Sequence, residues 1–367
     1  MTKNRIPSGR SIIDRAIIPI SSRNLAILLK SAKNPSSGLF HEFYRACMDV
    51  QQVEADGLIF LNQLWSELSP IAGLGPSLAS LFRNGLSAFF NLEVQVDMSE
   101  PKRNIYGMLQ GGLTLPDRSY YADPDIFSKY GQHVTNMFEM AGSLSPSKEA
   151  YGATLFEMAL ANISLPKDQL YDPFTSFNKM DWFALSQLAP NFPFQEFIIA
   201  LQFDLSVSVN IDAPLYLRRL NDLITQVDPQ SVYSYLRWRA LHWMAPKLPQ
   251  PFIQENFNFF SKVLRGTTSS SPPSRNNTCV WSAVDVLPEL AGRLFAEEAF
   301  PESSKKEVTI LFDTLTKAFQ MNAQNLTWMD PITKSRALDK ISKIITLIGY
   351  PDNPKNYTNY QIGAHYA

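Results

Sequence analysis

Cysteine and histidine are scarce in this chain, with two and four residues respectively in 367. Two cysteines, Cys47 and Cys279, are too few for a disulfide-rich scaffold or a four-cysteine zinc site. On the residues alone they are either two buried free thiols or one bridge. The histidines, His41, His133, His242 and His365, stand isolated in the sequence. Only His41-Glu42-Phe43-Tyr44-Arg45 approaches a metallopeptidase helix, which needs histidines at i and i+4 on one metal. Arg45 occupies the second ligand position, and a cation there repels zinc. Net charge is nearly absent as well, at −1, so no field draws nucleic acid or an anionic membrane. No run reaches the roughly 18 apolar residues of a membrane span; even residues 197–211 are interrupted by Gln202 and Asp204. Asp14 and Pro19 likewise break up the N-terminal apolar residues that a signal peptide would need. There is no Walker loop, dinucleotide glycine fingerprint or nucleophile elbow.

Apolar and aromatic residues, by contrast, are plentiful, and 367 residues suffice for one large or two modest domains with a substantial core. Most apolar residues recur at helical spacing. Helices are expected over residues 21–33, 37–48, 57–68, 75–90, 125–142, 145–161, 228–245, 286–300 and 302–322. The helix over 302–322 places Val308, Leu311, Phe312, Leu315 and Phe319 on one stripe. A final helix is expected from Pro331 to Ile348, with Asp330 as its N-cap and Gly349 and Pro351 as its stop. Its apolar face carries Ala337, Ile341, Ile344, Ile345 and Ile348. Residues 92–98 alternate as a strand does, residues 105–109 can return as the hairpin partner, and residues 206–211 suggest one more strand. Residues 267–277, TTSSSPPSRNN, read as a linker or surface loop. The fold class is therefore mainly α, a multi-helix lobe with a small β-hairpin. The Arg237-Trp238-Arg239 cluster could imitate a base-stacking surface. On a near-neutral chain it reads instead as a helix with Trp238 and Trp243 buried and both arginines paired.

Several stretches are more specific than their periodicity. LTWMD (326–330), a lysine-rich helix and IGYPD (348–352) resemble the segment ahead of the catalytic domain in neprilysin-family zinc metallopeptidases, which include the endothelin-converting enzymes. YRACM (44–48), GGLTLPDRSYY (111–121), YLRWRALHWMAP (235–246), the KVLRGT run (262–267) and GRLFAEEAFPESSK (292–305) resemble further family segments in the same order. Ser119 stands where an aspartate is usual.

The resemblance implies that residues 1–367 form the helical, non-catalytic, substrate-gating lobe, with 353–367 starting the connection to a catalytic domain that this sequence does not include. The family's zinc ligands, His-Glu-x-x-His and a later Glu-x-x-x-Asp, have no counterpart here. No cofactor is therefore expected in this chain and zinc only in the complete enzyme, which would cleave peptides. The implied partners are that catalytic domain and peptide substrates, and the implied location is extracellular or a membrane ectodomain. In the family the counterparts of Cys47 and Cys279 pair with each other. Asn162, Asn276, Asn325 and Asn356 begin Asn-x-Ser/Thr tripeptides and are glycosylation candidates in a secreted product. Arg10 lies nearest to a basic family residue that grips substrate. The rival reading is a free-standing truncated paralogue acting as a binding or decoy module.

Overall fold

The computed structural model describes the backbone of residues 12–170, 172 and 174–350, with side chains described from residue 23 onward. The chain divides into two compact units: residues 1–53 with 273–367, and residues 54–272. The second crossing falls between Pro272 and Pro273, inside the linker-like stretch, whose end is taken up by the helix Arg275–Val286.

The continuous unit, 54–272, is built on three long helices, Pro124–Met140, Pro146–Ile163 and Pro229–Met244. Each opens with proline in the first turn, where its missing N–H costs nothing. Asp123 caps the first by accepting from the backbone N–H of Asp125 and Ile126, and Asp228 caps the third through Gln230. Their shared face buries Tyr130, Phe138, Phe156, Leu160, Tyr235, Leu236 and Trp238. The expected hairpin is present, and it belongs to a larger sheet. β1 (Phe90–Val96) and β2 (Asn104–Gln110) pair antiparallel, β4 (Val209–Ile211) runs parallel to β2, and β3 (Lys179–Met180) closes the order β1-β2-β4-β3. With only two residues, β3 is too short for alternation to show.

The helix expected over 75–90 runs only from Leu74 to Arg83. Gly85 takes φ +74° and ends it, which frees Leu86, Ala88, Phe89 and Phe90 to enter the core as extended chain. Gly112 is tightly constrained. At φ +93° an added Cβ would lie 2.6 Å from the Tyr235 hydroxyl and 2.7 Å from the Phe89 nitrogen. Only glycine lets the loop after β2 approach the Pro229–Met244 helix this closely.

In the discontinuous unit, Ile12–Lys33, Leu39–Met48, Arg275–Val286 and Pro288–Ala299 pack around Leu28, Phe40, Tyr44, Val280, Ala283 and Leu290. Cys47 and Cys279 are joined by a disulfide across 232 residues of sequence. Tyr44 Oη donates to Asn276 Oδ1 at 2.6 Å and Arg275 Nε to the Cys47 carbonyl at 2.8 Å, so the bridge lies within a hydrogen-bonded cluster.

Beyond them lie Glu302–Asn325 and Pro331–Ser342. Asp330 caps the latter as expected, accepting from Ile332 and Thr333 at 2.9 Å each. The helix stops at Ser342 and not at Ile348. Gly349, at φ +68°, is pressed against the Phe300 ring, and Lys305 Nζ donates to the Tyr350 carbonyl at 2.7 Å. These contacts hold the following segment in a non-helical path and leave Ile344, Ile345 and Leu347 exposed.

Replacing both cysteines by serine should lower the unfolding free energy of this unit by roughly 2–5 kcal/mol, because a bridge across so long a loop restricts the unfolded chain strongly. Denaturant titration with and without reductant measures it. Equal stability of the oxidised and reduced chains would contradict the bridge's structural role.

Candidate functional site: a polar pocket above a buried carboxylate

Within the 54–272 unit, the Pro229–Met244 helix and the loop after β2 enclose a pocket of about 400 Å³, lined by Ser87, Thr114, Arg239, His242, Trp243 and Asn256 among others. That size falls within the range of small-ligand sites. The Gly111–Tyr121 loop supplies Thr114, and the RWRALHW segment supplies Arg239, His242 and Trp243 one helical turn apart.

Beneath the pocket lies Glu157, fully buried. Its carboxylate accepts from Thr114 Oγ1 at 2.5 Å, from Tyr121 Oη at 3.1 Å and from Tyr130 Oη. Each of these hydroxyls is itself an acceptor: Tyr121 Oη for the backbone N–H of Thr114 and Leu115, Tyr130 Oη for the Trp238 indole, and Thr114 Oγ1 for Arg239 Nη1 at 3.1 Å. Every hydroxyl proton is therefore left to point at Glu157, the arrangement an ionised carboxylate requires. Burial raises the Glu157 pKa, opposed first by the Arg239 charge and then by the three hydroxyl donors. Arg239 also holds the Ser87 carbonyl through Nε and Nη2, at 3.3 and 3.2 Å.

Nearby, the buried His133 places Nδ1 3.0 Å from Glu255 Oε1 and stacks on Phe259 with centroids 4.9 Å apart. Phe259 and Phe260 come from Asn258–Leu264, a π-helical continuation of Gln250–Phe257. Such local widening is frequent beside functional sites. His242 packs on Phe260, and burial, Arg239 and His133 together press its pKa down to about 3. Among the described residues, its Nδ1 and Asn256 Oδ1 are shut off from solvent without a protein hydrogen-bond partner. The arrangement can bind and orient a polar group against Trp243.

The sequence reading of this helix holds for Trp238, which is buried, and for the paired Arg237, bonded to Glu149 at 2.7 Å and lying over the Trp65 ring. It fails for Trp243, which is 39 % exposed under the Lys247 ammonium. At helical spacing, one turn beyond Trp238 and Arg239 the helix surface emerges at the pocket mouth. Spacing in sequence could not bring together His133, His242, Glu255 and Asn256, because tertiary packing alone makes them neighbours. His41 Nδ1 lies 2.8 Å from the Ala32 carbonyl. Among the described residues no three of His, Cys, Asp and Glu converge on a point a metal could occupy. Asn162 and Asn325 are exposed, whereas Asn276 is half-buried against Tyr44. Arg10 and Asn356 lie outside the described residues.

Residues 2–351 match peptidase family M13. The chain belongs to this family, one of zinc metallopeptidases. It is 28% identical to endothelin-converting enzyme 1 of Rattus norvegicus over 334 residues, covering 84% of this chain and 43% of that protein. It is 26% identical to neprilysin-3 of Drosophila melanogaster over 355 residues, covering 88% and 45%. The chain thus spans about half the length of the curated relatives it matches. Its fold is similar to that of the Mycobacterium tuberculosis zinc metalloprotease Zmp1 in its open state, with TM-score 0.82, 22% identity, 99% of this chain and 59% of that one. It also resembles PepO from Lactobacillus rhamnosis, with TM-score 0.78, 19% identity, and 96% and 58% coverage.

The depressed His242 pKa makes a signed prediction. On acidification from pH 6.5 the unfolded chain takes up this proton first, so the folded state loses stability down to about pH 3. Asp212, raised to about 6 by burial, acts in the opposite sense between its ordinary value and that pH. In His242→Gln, stability should become less sensitive to acid by up to about 1.4 kcal/mol per pH unit. Denaturant midpoints from pH 7 to 4 measure this, and an unchanged slope would refute the assignment.

Proposed function

We propose that this chain is the N-terminal, non-catalytic region of a neprilysin-like zinc metalloendopeptidase, inactive by itself, which helps to enclose peptide substrates for a zinc-bearing catalytic domain. The observation that carries the reading is the apolar surface of Glu302–Asn325. Leu311, Leu315 and Phe319 are 58%, 57% and 60% exposed, and Val308 and Phe312 on the same stripe are 38% and 43% exposed. A solvated helix has no physical reason to carry such a stripe, whereas a helix that seats another domain does. The family to which the chain belongs, and the greater length of its relatives, favour the catalytic domain as that partner.

In the complete enzyme zinc would polarise the scissile carbonyl and activate water. The residues of this chain would shape the approach, with the Arg239–Asn256–Trp243 pocket offering hydrogen bonds and an aromatic wall to a peptide. The disulfide and the exposed Asn162 and Asn325 tripeptides fit an extracellular or ectodomain setting.

Zinc titration by calorimetry, with hydrolysis of a quenched peptide, tests the proposal. The purified chain should bind no stoichiometric zinc and show no chelator-sensitive cleavage. One tightly bound zinc per chain accompanied by cleavage would overturn it.

A further inference from the structure

β1 is the outer strand of the sheet, and its free edge is built to pair. Gly111 N donates to the Phe89 carbonyl and Asp97 N to the Arg103 carbonyl, which sets the parity of the hairpin. Odd-numbered residues of β1 exchange their bonds with β2, and the backbone groups of Leu92, Val94 and Val96 turn outward. Among the described residues none of these outward groups meets a partner. The side chains agree, with Val94 69%, Val96 55% and Met98 58% exposed. Natural edges are usually blunted by lysine, proline or a bulge, and Phe90–Val96 has none of these.

We propose that two copies of the chain join their β1 strands antiparallel about a two-fold axis through Val94, continuing the sheet from one copy into the other. Hydrogen-bond parity requires outward-facing residues to oppose outward-facing ones, which leaves three registers near the strand centre. A register centred on Glu93 sets Glu93 against its own copy. One centred on Gln95 sets Glu93 against Asp97. The register centred on Val94 apposes Val94 with Val94, Leu92 with Val96, and Glu93 with Gln95. It alone faces no carboxylate with another, and it joins the apolar faces. Three residues per copy each give one N–H and one carbonyl, about six new hydrogen bonds in all. So narrow a contact makes a weak, concentration-dependent dimer.

Sedimentation of the full 367-residue chain over two decades of concentration should show a monomer–dimer equilibrium. Val94→Lys, at an exposed side chain, should leave the melting temperature unchanged and weaken the dimer by about tenfold or more. A cysteine pair then tests the register, since the native cysteines are bridged to each other. Val94→Cys places two thiols across the axis at about 5.5 Å between Cα atoms, within disulfide reach. Glu93→Cys, also at an exposed position, is out of register with its copy. Oxidation should cross-link the first and not the second. A chain monomeric at every concentration, a dimer indifferent to Val94→Lys, or equal cross-linking of both cysteines would each overturn the proposal; the last two would point to association through the Glu302–Asn325 stripe.

Discussion

A buried negative charge governs the larger unit. Glu157 has no contact with water, and an isolated carboxylate there would cost several kcal/mol. Its compensation comes from three separate segments: Thr114 and Tyr121 from the loop after β2, Tyr130 from Pro124–Met140, and Arg239 from Pro229–Met244. Trp238 completes the second rank by donating to Tyr130. Satisfying one side chain therefore fixes the spacing of the three central helices and the course of the loop. The pocket follows from that constraint, because Arg239 and Thr114, both held by this network, line it.

The discontinuous unit obeys a different constraint. Its halves lie more than two hundred residues apart, so closing them is entropically expensive. The Cys47–Cys279 bridge and the Tyr44–Asn276 and Arg275–Cys47 hydrogen bonds fasten them at one place. The unit also carries the long apolar stripe, and its most exposed apolar residues, Leu347, Ile345 and Trp328, lie in the segments that flank the last helix.

Local chemistry was legible in the sequence wherever it was sufficient. The Asp330 cap ahead of Pro331 and the alternation within residues 92–98 led directly to the elements observed. Legibility failed where tertiary contact overruled propensity. Periodicity carries the last helix on to Ile348, but Phe300 and Lys305 hold residues 349 and 350 in another path. β3 is only the partner that β4 happens to meet. Glu157 looks like any helical glutamate, and its importance appears only when loop, helices and Arg239 converge. Ordered family segments pointed to the same region as the fold, although no single residue among them marks the pocket.

On this account, the stripe on Glu302–Asn325 is a surface reserved for another domain and not a displaced core. Its most direct test is the stability of a chain carrying Leu311→Gln, Leu315→Gln and Phe319→Gln, read together with binding of a dye that reports exposed apolar surface. Glutamine keeps helix propensity, so the change isolates burial. A change within about 0.5 kcal/mol per site and a marked loss of dye fluorescence are expected. A loss of about 2–5 kcal/mol per site, the cost of emptying a packed core, would contradict it.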